Sequence, residues 1–135
     1  MITFCKRYLD SSCYRVVEGK AEVAKKLVTM KFNKIVFTGS TEKGKLVASA
    51  AGKNLVPCIL ELGGKSPAIV DVDADPVGAA NKILFGKMPN FGQVCISPDY
   101  ILCHESQYDA LIAALKSEYE LRYNSSEIDS GRIVN

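Results

Sequence analysis

Apolar positions recur along the 135-residue chain in two alternating rhythms, short β-branched runs and longer stretches with helical spacing. Residues 13–17, Cys-Tyr-Arg-Val-Val, predict a strand. Residues 20–31 predict a helix with Ala24, Leu27 and Val28 on one face. Residues 34–37 form a second apolar run, continuous enough to predict a strand covered on both faces, as in a parallel sheet. Residues 42–52 predict a second helix with an apolar stripe of Leu46, Val47, Ala50 and Ala51, and Gly52 near its end. Pro57 opens a third strand over 58–62. The order β-α-β-α-β is the unit of a doubly wound α/β sheet, with right-handed crossovers expected.

Gly63 and Gly64 interrupt the pattern, and a further strand is predicted over 67–72. Asp75 followed by Pro76 is a helix start, because Asp caps and Pro fits the first turn. Val77, Ala80 and Leu84 then share a face. Residues 88–98 read as irregular, 99–103 as a strand, and 106–122 as a last helix burying Tyr108, Leu111, Ile112, Leu115 and Tyr119. From Asn124 to Asn135 the chain is polar and expected to be loose. A boundary falls near Gly63 to Ser66, so that 1–62 and 63–135 read as parts of two domains. Neither an internal repeat nor a low-complexity tract interrupts the pattern.

Composition narrows the class. Hydrophobic residues make up 47% and charged residues 24%, which excludes a disordered or fibrous chain. Lys plus Arg (17) against Asp plus Glu (15) gives a net charge of +2, too small a surplus to mark a nucleic-acid or membrane surface. No run of ~18 apolar residues spans a bilayer, and no signal peptide is evident. The five cysteines show no paired spacing, no CxxC and no zinc pattern. Free thiols in a reducing, cytoplasmic compartment are expected, with no metal site.

Three places carry candidate chemistry. Residues 38–45, Thr-Gly-Ser-Thr-Glu-Lys-Gly-Lys, join a strand to a helix. Glycines let backbone N–H groups approach a ligand, and a helix N-terminus favours phosphate. Ser40 or Thr41 would cap the helix. The spacing from Gly39 to Gly44 and Lys45 approaches a P-loop, but Leu46 stands where the metal-binding hydroxyl belongs. It also approaches the dinucleotide fingerprint GxGxxG, with Thr41 at the second glycine. An ordinary capped turn explains the segment equally well. Glu61 follows a buried-looking strand, where a partly desolvated carboxylate would have its pKa raised and could act as a base. A Glu turning to solvent at a strand end is the plainer explanation. Cys13, Cys58 and Cys103 lie in strand-like runs and read as small core residues, and Cys5 is uninformative. Cys95 differs, lying on a loop between Pro89 and Pro98 where backbone donors can support a thiolate. No His is near it in sequence; the single His104 reads as an ordinary residue after a strand.

Taken together, FTGSTEKGK (37–45), LELGGKSP (60–67) and GQVCISPDY (92–100) resemble the aldehyde dehydrogenase superfamily. ELGGKSP and GQxCxxPDY are most similar to its class 3, fatty-aldehyde type. The three ordered segments are specific together where each alone is weak. The resemblance implies a partial doubly wound, Rossmann-like cofactor domain over 1–62. The first part of the α/β catalytic domain of the aldehyde dehydrogenase fold would follow over 63–135. It implies NAD or NADP as cofactor and a small aldehyde as substrate. Cys95 would be the nucleophile, its own N–H donating to the oxyanion, and Glu61 would activate the water that releases the acid. Gly39, Ser40 and Gly44 would lie at the cofactor phosphates, Leu62 and Gly63 beside the nicotinamide, and Asn90 would position the nucleophile loop.

Members of that superfamily are several times longer. The resemblance therefore implies an internal piece of a homodimeric parent, missing the upstream oxyanion amide and ribose lysine and the downstream Glu-x-Phe and dimer arm. Little turnover is expected from these 135 residues alone. The alternative is a non-catalytic truncated product serving only as an interaction or oligomerisation fragment. A P-loop phosphotransferase is disfavoured by Leu46.

Overall fold

The computed structural model describes residues 2–124 and 132–134. Its elements in chain order are α1 (Ile2–Tyr8), α2 (Ala21–Leu27), β1 (Ile35–Thr38), α3 (Thr41–Gly52), β2 (Cys58–Glu61), β3 (Ser66–Val70), α4 (Pro76–Lys87), β4 (Pro98–Cys103) and α5 (Tyr108–Arg122). The chain divides into two compact units, Met1–Glu61 and Leu62–Asn135. Most of the polar tail, residues 125–131 and 135, lies outside the described residues.

In the first unit β1 and β2 pair in parallel, Ile35 with Cys58 through Thr38 with Glu61, with α3 between them in sequence. Ser40 caps α3, its Oγ accepting from Lys43 N at 3.4 Å, and Gly44, Val47 and Ala51 are the buried face of the helix. Three expectations fail in this unit. The strand over 13–17 does not form. Asp10 instead organises a turn, its carbonyl accepting from Cys13 N and Tyr14 N and its carboxylate from Ser12 N and Oγ, both at 2.8 Å. The Ser12 backbone N–H, and after it the Ser12 hydroxyl, hold the Asp10 carboxyl below its ordinary value. That local set of bonds competes with an extended backbone. Nor is β1 covered on both faces: Ile35 and Phe37 are half-buried while Val36 is 65% exposed. The predicted apolar stripe of α3 shifts likewise, with Leu46 outside.

In the second unit β3 and β4 pair in parallel, Ser66 with Pro98 through Val70 with Cys103. Asp75 caps α4 as its sequence position predicts, accepting from Val77 N at 3.3 Å and Gly78 N at 2.9 Å. The core is Val70, Ala80, Leu111 and Ala114, with Ala79, Ile83, Ile101 and Leu115 packed around it. The buried face of α5 therefore runs through Leu111, Ala114 and Glu118, and the expected Tyr108 and Tyr119 lie outside it. Small residues at Ala80 and Ala114 bring α4 and α5 together and fix this phase. Val77, expected inside, is exposed. Glu118 is buried with its Oε2 accepting from Arg122 Nε at 2.7 Å and Asn81 Nδ2 at 3.3 Å. Leu111 is 2% exposed at the centre of this core. Leu111→Ala is expected to cost about 2–5 kcal/mol, read as a lower urea midpoint with an unchanged slope. No helix among the described residues is long and apolar enough to cross a membrane.

Candidate active site

The candidate residues fall into two groups, one in each unit. In the first, Gly39, Ser40 and Glu61 gather at the carboxyl ends of β1 and β2, where ligands of parallel sheets characteristically bind. Gly39 N donates to Glu61 O at 3.0 Å and extends the ladder by one bond. A side-chain carbon on Gly39 would lie 2.6 Å from Cζ of Phe37, so the ring itself requires glycine there. Ser40 is exposed at the start of a 12-residue helix, whose first N–H groups point outward from the turn. Gly44 departs from its expected role at a phosphate. It is buried, and its N–H donates to Ser40 O at 2.8 Å within the helix. It shares the buried face of α3 with Val47 and Ala51. Leu46, where a P-loop would need a hydroxyl, is exposed. The Glu61 carboxylate is exposed too, so the desolvation expected from its buried-looking strand is not present.

The second group sits at the amino ends of β3 and β4. Leu62 is half-buried, and at Gly63 a side-chain carbon would meet nothing within 4 Å. At Gly64 one would come within 3.1 Å of Cys95 O, so the glycine lets this backbone run close along the thiol segment. Cys95 is exposed. It occupies a turn over residues 94–97 closed by Ser97 N donating to Val94 O at 3.0 Å. Ser97 is 6% exposed, and its Oγ has no partner among the described residues.

The segment leading into this turn has an uncommon backbone. Asn90 (φ 51°), Phe91 (φ 52°) and Gly92 (φ 76°) are consecutively left-handed. That conformation costs about 1–2 kcal/mol for a residue carrying a Cβ. Reciprocal amide bonds hold it: Asn90 Nδ2 donates to Gln93 O at 3.2 Å, and Gln93 Nε2 to Asn90 O at 2.9 Å. Asn90 thus sits where a brace is needed. Gln93, present in the GQxC segment but given no role on sequence grounds, is the other half of that brace. The remaining thiols divide differently from expectation. Cys58 and Cys103 are half-buried, but Cys13 is exposed on the Asp10 turn. His104 caps the short turn after β4, Nδ1 lying 2.8 Å from Ser106 Oγ.

A parallel strand–helix–strand unit with a glycine-bearing turn, followed by a second α/β unit with a braced, thiol-bearing loop, defines an α/β protein. The chain belongs to the aldehyde dehydrogenase family, whose profile matches residues 3–132. It is 42% identical over 132 residues to aldehyde dehydrogenase family 3 member B2 of Mus musculus, covering 96% of this chain and 28% of that protein. It is 41% identical over 138 residues to the dimeric NADP-preferring aldehyde dehydrogenase of Rattus norvegicus, covering 100% of this chain and 30% of that one. The substrate-bound Staphylococcus aureus AldH superposes with a TM-score of 0.88 at 43% identity over 99% of this chain and 30% of its own. The chain thus spans less than a third of the length of these relatives. The class 3 resemblance carried by ELGGKSP and GQxCxxPDY agrees with a relative named as a family 3 member.

Proposed function

We propose that this chain supplies the thiol and the carboxylate for NAD(P)+-dependent oxidation of an aldehyde to a carboxylic acid. The observation that carries the reading is Cys95, exposed on a turn whose approach is braced by paired amides. The Cys95 thiolate adds to the aldehyde carbon, and the carbonyl π pair moves to oxygen as the thiohemiacetal oxyanion. The Cys95 N–H donates to that oxygen. As the C=O bond reforms, hydride leaves carbon and a thioester on Cys95 remains. Glu61 takes a proton from water, hydroxide adds to the thioester carbon, and the acid departs as the thiolate returns.

Bound NAD(P)+ would accept the hydride. Gly39, Ser40 and the first turn of α3 suit its phosphates, because the turn has no side chain at Gly39 and presents a hydroxyl and free helix-end N–H groups. Leu62 and Gly63 would lie along the nicotinamide, a reading supported by the open space at Gly63, where a side-chain carbon would meet nothing within 4 Å. The rat relative is named dimeric and NADP-preferring, which supports a homodimeric assembly and use of NADP as well as NAD. Five free thiols fit a cytoplasmic location. A family match over residues 3–132 gives no support to a purely interaction-mediating fragment.

The test is a trapped intermediate. Protein incubated with a medium-chain aldehyde and NAD(P)+, then quenched in acid and digested, is expected to carry the acyl mass on the Cys95 peptide. Reduced nicotinamide formed with no acyl mass there, or with the acyl group on Cys13, would refute the assignment.

A further inference from the structure

The carboxamide of Gln93 has partners beyond the left-handed loop. Its Nε2 donates to Arg132 O at 3.1 Å, and its Oε1 accepts from Val134 N at 3.0 Å. In an extended backbone the carbonyl of one residue and the N–H two residues on face the same side, flanking the residue between them. The Gln93 side chain therefore meets the 132–134 backbone with one donor and one acceptor, the pair of groups that a peptide unit itself presents. The same Nε2 also donates to Asn90 O, which in turn accepts from Gln93 N at 3.1 Å. One side chain thus joins two pieces of backbone, the left-handed run at 90–92 and a segment 39 to 41 positions downstream, at the residue that directly precedes the thiol turn.

We propose that Gln93 is a positioning residue for the nucleophile loop. Its carboxamide clamps the 132–134 backbone to the loop and so fixes the turn on which Cys95 is presented. The bearing on catalysis rests on Cys95 being the nucleophile, whereas the clamp does not. Gln is specific for this task. It offers a donor and an acceptor on one planar group at the end of a two-carbon stem, and both are in use. Asn is one carbon shorter and Met has neither a donor nor a strong acceptor.

Amide hydrogen exchange of the full chain tests the clamp without requiring turnover. In Gln93→Met the Val134 amide loses its acceptor, and the Ser97 amide, which closes the thiol turn, loses the restraint on its loop. Both are expected to exchange at least about threefold faster, while Leu111 and Val47 keep their wild-type rates. In Gln93→Glu at neutral pH the carboxylate still accepts from Val134 N but brings no donor to Asn90 O and Arg132 O. Ser97 is then expected to exchange faster and Val134 to stay near wild type. Lowering the pH through the ordinary glutamic acid range, about 4.3, restores one donor and should return the Ser97 ratio to wild type toward one. A merely space-filling residue would show no such rescue. Faster exchange at Val134 with Ser97 unchanged would overturn the proposal, because the clamp would then hold the downstream segment alone. Unchanged rates at both amides would overturn it also. Collapse of the second unit in both variants would do the same, by making Gln93 part of the fold's core. None of these outcomes depends on whether acyl mass is found on Cys95, so the two readings fail separately.

Discussion

In a full-length protein that carries this segment, replacing Cys95 by alanine is expected to lower the single-turnover formation of reduced nicotinamide by at least about 10⁴-fold. That loss corresponds to roughly 5 kcal/mol of transition-state stabilisation. On the proposed mechanism, the carbon–sulfur bond converts hydride loss from a free aldehyde into hydride loss from a tetrahedral adduct. Because Cys95 is exposed, the substitution removes no core packing, and the melting temperature should stay at the wild-type value. Exposure by itself does not select this thiol, since Cys13 is exposed as well. The two differ in setting. Cys13 Sγ lies 3.7 Å from a carboxylate oxygen of Asp10 on a turn outside the GQxC segment, whereas Cys95 stands within that segment, on a turn that passes close to Gly64. Cys13→Ala should accordingly leave the burst intact. A burst that survives Cys95→Ala and disappears in Cys13→Ala would reverse the assignment. Pre-steady-state absorbance of the reduced cofactor, with both variants in parallel, makes the measurement.

What was legible in the sequence follows the range of the forces involved. β1, α3 and β2 could be read because their signals are local: an apolar run, a capping Ser40, and a proline before the next run. The start of α4 was legible for the same reason, since Asp75 and Pro76 supply the cap and the first turn by themselves. The run over 13–17 misleads because Tyr14, Val16 and Val17 favour a strand while a strand also needs a partner. Asp10 offers its bonds to the same backbone at no loop-closure cost. The phase of α5 was out of reach for a different reason. Tyr108 and Tyr119 look apolar in a pattern, yet burial follows the face on which Ala80 and Ala114 allow two helices to touch.

The site divides in the same way. Glu61 could be found from its place at a strand end, but its exposure could not, because coverage of that end is a tertiary property. Cys95 stood out as the one thiol in a proline-bounded loop. That loop lies at the amino ends of its strands, so the carboxyl-end rule that points to Glu61 would have passed over it. Nothing in the composition announces that Phe91 is left-handed, because the cost is met by amide bonds from Asn90 and Gln93. Gly44 shows what spacing alone leaves open. Its spacing from Gly39 is that of a nucleotide-binding turn, while its N–H is engaged inside the helix with Ser40 O.

In the same full-length setting, Glu61→Gln is expected to separate the two halves of the proposed reaction. On the proposed mechanism, adduct formation and hydride loss do not use Glu61, so one equivalent of reduced nicotinamide per Cys95 should still appear rapidly. Thioester hydrolysis needs a base to deprotonate water, and an amide cannot serve, so steady-state turnover should fall by about 10²–10⁴-fold. The acyl group would then accumulate on Cys95, and hydroxylamine, which attacks a thioester without general-base help, should release it and restore repeated turnover. The substitution is isosteric. Because Glu61 meets Gly39 through its backbone carbonyl, the last rung of the β1–β2 ladder survives the change of side chain. A lost burst would therefore report chemistry and not a broken sheet. If burst and steady state fell together, Glu61 would act before the acyl intermediate, as the base that prepares the thiol. If neither fell, the carboxylate would be a solvent-facing end of β2, and the water would have to be activated by another group.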